Sequence, residues 1–162
     1  MLEVGTNTYV SKDFADEYIT SRYKTNSGDR NRWRETSEED KEILLISACD
    51  ELNNLQWQGR TAVKGQVMAF PRLPYQYGRV EEIAPLRVKQ AQVELALWLS
   101  DDTKQANQSQ RQELQSQGVE SFSIGDLSES YGKGVGEKPA PLLCLKVKAL
   151  VTPYLNGGYD IC

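Results

Sequence analysis

Three groups of carboxylates lie close enough in sequence to share a proton: Glu38-Glu39-Asp40, Glu81-Glu82 and Asp101-Asp102. Neighbouring carboxylates can run acid–base chemistry when their surroundings push their proton affinities apart. Each of these groups falls at an expected helix end, where acids in a first turn favour the helix dipole and others face water. The chain has no histidine, which removes the usual general base near neutral pH and the commonest transition-metal ligand. The three cysteines, Cys49, Cys144 and Cys162, are far apart with no C-x-x-C pair, so neither a metal site nor a redox disulfide is expected. Cys49 and Cys144 read as small core residues on helices, and Cys162 as an incidental terminal thiol. The glycine-dense Gly132-Lys133-Gly134-Val135-Gly136 lacks the spacing that cradles a phosphate. No enzyme activity and no cofactor are expected. The remaining chemistry is stacking: Trp33 sits among Arg30, Arg32 and Arg34, and Trp57, Tyr75 and Tyr77 have arginines nearby. Aromatic rings beside cations can bind single-stranded nucleic acid at roughly 1–3 kcal/mol per stacked base.

The stretch from Leu55 to Arg72 has neither helical nor strand period, yet it carries Trp57 and Phe70. Each ring could stabilise the fold by roughly 1.5–3 kcal/mol if buried. Gly59 permits positive φ, Pro71 pushes Phe70 toward an extended conformation, and Arg60 and Arg72 stand beside the rings. Trp57, Gly59, Phe70 and Pro71 are therefore expected to form a structural clamp on a helical core, the alternative being an ordinary packed loop.

The elements that must position these residues are mostly helical. Ser11 can cap a helix over about Lys12–Tyr23, with Phe14, Tyr18 and Ile19 on one face. The polar segment Lys24–Arg34 reads as a loop. Thr36 with Glu39 forms a capping box, with Ser37 as a competing cap, for a second helix to about Asn53 with an apolar stripe of Ile43, Leu45, Ile46, Cys49 and Leu52. Pro85 suits the first turn of a third, most apolar helix that ends near Asp101 or Asp102. Beyond Gly118 the period changes to alternation, and two short runs around Gly125-Asp126 predict a β-hairpin. Pro141 opens a last helix to about Val151, limited by Pro153 and followed by a tail. The expected fold is mainly α: one domain over 1–162, a bundle of about four helices with its helical body in about 8–104. An extended β and Gly-rich arm covers 118–141, and a C-terminal helix and tail cover 142–162.

At 162 residues the chain suits one domain that buries about 70% of its unfolded surface. The formal net charge is −4, so gross electrostatics do not recruit polyanions. No apolar run approaches a membrane span and the N-terminus lacks a signal-peptide layout, so a soluble, cytoplasmic site of assembly is expected. From Arg60 to Lys89 positive charges exceed negative by four, and from Asp101 to Glu137 negative exceed positive by four. Two such flanks on one subunit can meet head to tail on neighbours, or remain solvated faces that never meet. Arg60, Arg72 and Arg79 on one side, and Asp126 and Glu129 on the other, are the expected inter-subunit residues. The polar Gln105–Gln117 and Gly132–Pro141 cannot bury enough surface alone, and order in them is expected only against neighbours.

The clamp, together with Asp40-Lys41-Glu42, Ala48-Cys49-Asp50-Glu51-Leu52, Val88-Lys89-Gln90-Ala91 and Glu94-Leu95-Ala96, resembles a family of small tailed-phage proteins. Thr8-Tyr9-Val10-Ser11, Ile124-Gly125-Asp126-Leu127-Ser128 and Val151-Thr152-Pro153-Tyr154-Leu155 fit the same pattern. The family goes by two names: head–tail connector (adaptor) proteins, and DnaT-like single-stranded-DNA-binding proteins. The connector name implies a structural virion protein of the neck. It would form a homo-oligomeric, twelve-fold ring beneath the portal protein, contact the next neck or tail protein, and let double-stranded DNA pass through the channel without sequence-specific binding. Thr152, Tyr154, Leu155, Tyr159 and Ile161 are then the expected portal-binding residues. The DnaT-like name implies instead a replication accessory protein that binds single strands.

Overall fold

The computed structural model describes residues 1–73, 84–106, 121–124, 127–130 and 144–156. Helix α1 (Lys12–Arg22) begins where the Ser11 side chain accepts the Phe14 amide at 3.1 Å. Its inward face buries Ala15 and Ile19, with Phe14 and Tyr18 half-buried against the core. Helix α2 (Gly28–Glu35) lies where a loop was expected. Its polarity hid it, but Ser27 caps it by accepting the Arg30 amide, Asp29 suits its first turn, and Trp33 alone anchors it inside. Thr36 ends α2, so it is Ser37 that caps α3 (Glu38–Asn53), accepting the Asp40 amide at 3.1 Å. Leu45, Ala48, Cys49 and Leu52 form the buried face of α3, whereas Ile43, expected in the stripe, is 53% exposed.

Two short antiparallel strands, β1 (Arg60–Thr61) and β2 (Arg72–Leu73), close the clamp segment, pairing Arg60 with Leu73 and Thr61 with Arg72. Helix α4 (Leu86–Leu99) follows Pro85 and is buried along most of its length. It stops slightly before the expected end, and 102–106 form a further helical segment. Strands β3 (Ser121–Ile124) and β4 (Leu127–Ser130) pair antiparallel in the expected hairpin, Ser121 opposite Ser130 and Ile124 opposite Leu127. Helix α5 (Leu145–Val151) packs Val147 and Val151 onto the core, and a 3-10 turn, Thr152–Tyr154, follows around Pro153. Cys144 stands at the N-cap of α5 rather than within a helix. Cys162 and the segments 107–120 and 131–143 lie outside the described residues, and with them the expected order on assembly. The fold is mainly helical, and no helix among the described residues is long and apolar enough to cross a membrane.

One buried amide ties three segments together. Gln92, on α4, accepts the Tyr9 amide at 3.0 Å and donates to the Thr8 hydroxyl at 2.7 Å and the Leu45 carbonyl at 2.8 Å. Asp101, just past α4, pairs at 2.9 Å with Arg32, which precedes α3. Since Gln92 meets the middle of α3 and Asp101 meets the residues before it, α4 runs antiparallel to α3. Arg32 and Lys104 also pair with Asp29, at 3.1 and 2.8 Å, which fastens α2 to the far end of α4.

Three expectations follow. Phe70 meets Trp57 edge-on at 4.9 Å and Tyr9 at 5.9 Å, so Phe70→Ala lowers unfolding free energy by about 3–5 kcal/mol in a denaturant titration. Gln92→Leu leaves the buried Tyr9 amide unpaired, and costs about 1–3 kcal/mol by the same measurement. Burial raises the proton affinity of Asp29 and Asp101, but Lys104 and Arg32 together outweigh it and hold both carboxyls below the usual range. Their contribution is therefore present above the unfolded carboxyl value of about 3.9 and is lost as pH falls through the depressed folded values. The melting temperature of the wild type is expected to drop more steeply over that acid range than that of the Asp29→Asn, Asp101→Asn double variant.

Candidate nucleic-acid interface

The two tryptophans expected for stacking are used inside the fold. Trp33 is 2% exposed; its Nε1 donates to Asp16 at 2.6 Å, and the Lys41 ammonium lies 5.7 Å from its ring centroid. Lys41 is itself buried and paired with Glu38 at 2.8 Å. The arginines around Trp33 are mostly engaged too. Arg30 donates to the Tyr23 carbonyl at 3.0 Å, Arg32 is held by Asp29 and Asp101, and of the three only Arg34 is exposed and without such ties among the described residues. Trp57 is 3% exposed and donates to the Leu52 carbonyl at 2.8 Å. Tyr75 and Tyr77 lie outside the described residues.

The clamp is built as its residue types imply. Gly59 takes φ of 74°, a conformation that disfavours any side chain, and the Phe70–Pro71 bond is cis. Arg72 is engaged within the subunit: its guanidinium donates to the carbonyls of Gln58 at 2.7 Å, Gly59 at 2.7 Å, Ala69 at 3.2 Å and Trp57 at 3.3 Å. Asn53 joins the clamp to α3, its Oδ1 accepting both the Tyr9 hydroxyl and the Ala69 amide. An open cleft of about 330 Å³ lies between Asn53, Gln56, Gln66, Val67 and Arg72. Gln66 is satisfied across it by the Val63 amide and the Met68 and Pro71 carbonyls.

The C-terminal segment closes onto this clamp. Tyr154 is buried, and Leu155 packs against the core. The Gln58 amide donates to the Tyr154 carbonyl and the Asn156 amide to the Gln56 carbonyl, both at 2.8 Å. The Thr152 hydroxyl is turned back onto the Lys148 carbonyl at 2.6 Å. Thr152, Tyr154 and Leu155 thus complete the subunit itself, and the apolar anchor expected of them is occupied internally. Tyr159 and Ile161 lie outside the described residues. So do Arg79, Asp126 and the Glu129 side chain, which leaves Arg60 as the expected inter-subunit residue that is described and exposed.

Sequence reasoning missed a second buried ionic cluster. Glu94, in the middle of α4, accepts the hydroxyls of Tyr18 at 2.9 Å and Tyr23, and meets Lys146 of α5 at 3.5 Å. The Lys146 ammonium also lies 4.3 Å from the Tyr23 ring centroid. Burial, reinforced by the Glu94 charge, pushes the Tyr18 hydroxyl up to about 12 and Tyr23 higher still. Both phenols therefore stay protonated donors. The sequence signal was present: Gln92 and Glu94 interrupt an otherwise apolar run on one helix.

Four cations gather at one end of the bundle. Arg60 and Lys64 stand on the segment beyond the last turn of α3, and Arg87 and Lys89 on the first turn of α4. The antiparallel helices bring these two turns to the same end. None of the four has an ion-pair partner among the described residues. No group of histidine, cysteine or carboxylate side chains there or elsewhere among the described residues could hold a metal.

No curated protein and no solved structure matches the chain. A family model matches residues 2–161. The chain belongs to the family described as "Putative DnaT-like ssDNA binding protein".

Proposed function

We propose that the protein binds single-stranded DNA and performs no reaction on it, acting as an accessory to DNA handling. The family match over 2–161 carries this reading, and Arg60, Lys64, Arg87 and Lys89, at one end of the bundle and without an ion-pair partner among the described residues, support it. Contact is then to phosphates through that end, without stacking on Trp33 or Trp57, because both rings are buried. Binding of this kind has little sequence preference and depends strongly on salt. The net charge of −4 opposes approach from other directions, which restricts the strand to the basic end.

A second reading, a head–tail connector of the phage neck, is favoured by one observation: the two tryptophans that a stacking protein would expose are core residues. Such a protein assembles with itself and with a portal ring, and double-stranded DNA passes it without being held. The β3–β4 hairpin would then reach a neighbour.

One titration separates the two. Fluorescence anisotropy of a labelled oligo-dT is expected to show binding that weakens with salt, with a slope of log K on log salt near about −3 for four neutralised phosphates. Arg60→Glu with Arg87→Glu should abolish it while the melting temperature stays unchanged. Absence of salt-dependent binding by the folded wild type, with a large symmetric complex formed on portal rings, would establish the second reading instead.

A further inference from the structure

Helix α3 leaves one face uncovered. Glu39, Ile43, Ile46 and Asp50 recur at helical spacing along it over about 16 Å. Glu39, Ile43 and Asp50 are exposed and Ile46 is half-buried, so an apolar centre of two isoleucines is flanked by acids. Neither Glu39 nor Asp50 has an ion-pair partner among the described residues. At the other end of the same helix, the segment between β1 and β2 presents the opposite pattern. Val63 is 63% exposed and Val67 is 90% exposed, while Arg60 and Lys64 stand beside them unpaired. Isolated exposed apolar residues are ordinary, but here each apolar pair is framed by charges of one sign, and the two signs are opposite.

The two patches cannot meet within one chain. Ala69 fixes the β1–β2 segment to Asn53, the last residue of α3, and Ile43 is ten residues, or about 15 Å, back along the helix. We propose that a second copy of this chain covers them: Val63 and Val67 of one subunit seat on Ile43 and Ile46 of the next, with Arg60 and Lys64 facing Glu39 and Asp50. The contact uses two different surfaces, so it is head-to-tail and each added subunit leaves one patch of each kind open. Repetition therefore continues to a ring or a filament rather than stopping at a symmetric dimer. This association rests on the two faces and not on DNA binding, although a strand held by Arg60 and Lys64 would compete with it.

Sedimentation velocity of the full chain without DNA tests the proposal. The wild type is expected to associate with concentration, past the dimer, and less so in high salt. Ile43→Glu removes one face and Val67→Glu the other. Both positions are exposed, so each variant keeps the wild-type melting temperature, and each alone is a monomer with association weakened at least about tenfold. Mixed in equal amounts they form a 1:1 dimer and nothing larger, since each keeps one intact face. Should an introduced glutamate disturb folding, Asp50→Lys and Lys64→Glu test the faces by charge alone: each by itself associates more weakly than the wild type, and mixing the two restores association because the reversed charges then face each other. A wild type that stays monomeric at every concentration overturns the proposal. So does a mixture that fails to pair, or single variants that associate as the wild type does.

Discussion

The amide of Gln92 is the interaction on which the rest of the fold depends. It is fully buried in the most apolar helix, where an unpaired amide would be costly. Its carbonyl takes the Tyr9 amide and its nitrogen serves Thr8 and Leu45, so the N-terminal segment and α3 are fixed at one height on α4. Tyr9, held there, carries its hydroxyl to Asn53 and its ring to Phe70. The position of the clamp is therefore set from inside the bundle. A hydrophobic residue at 92 could fill the space but could not specify this register, because apolar packing tolerates small slides that a three-way hydrogen bond does not.

A second layer of the same logic secures the chain's last elements. Glu94 lies two residues along α4 from Gln92 and gathers Tyr18 and Tyr23 from the α1 side and Lys146 from α5. Helix α5 has only seven residues and no side-chain N-cap, so it has little stability of its own. It is held by Val147 and Val151 in the core, by Lys146 on Glu94, and by the backbone pairing of residues 154–156 with 56–58. The C-terminal segment is thus part of the clamp, which explains why Trp57 can be so deeply buried in a segment with almost no regular structure of its own.

Much of this was legible in the sequence, and the failures have physical causes. Caps, proline positions and apolar spacing located α1, α3, α4 and the β3–β4 hairpin, because those elements obey the period of their own packing. The clamp was legible because two large rings do not belong in a solvent loop. Helix α2 was not, since its single buried residue gives no period, and the ion pairs that hold it, Arg32 with Asp101 and Lys104 with Asp29, join residues about seventy positions apart. The exposure of Ile43 was missed for the complementary reason: helical spacing counts apolar residues but does not say how wide a face the neighbouring helix covers.

The arginines carry the same lesson into function. Arg30, Arg32 and Arg72 looked like cations waiting for a ligand, yet Arg32 and Arg72 spend their guanidinium forks on carboxylates and backbone carbonyls, and Arg30 is tied to the Tyr23 carbonyl. An arginine fixed by several acceptors in a partly buried site has no donors turned toward a phosphate, whatever its formal charge. Counting charge along the sequence therefore overstates the surface available to a polyanion, and only the cations without internal partners set it. Four of those gather at one end, and two of the four flank exposed valines. Arg60 and Lys64 thus belong both to the end where a nucleic acid could be held and to the patch where another subunit could seat, so the two roles compete for that surface and its occupancy decides between them.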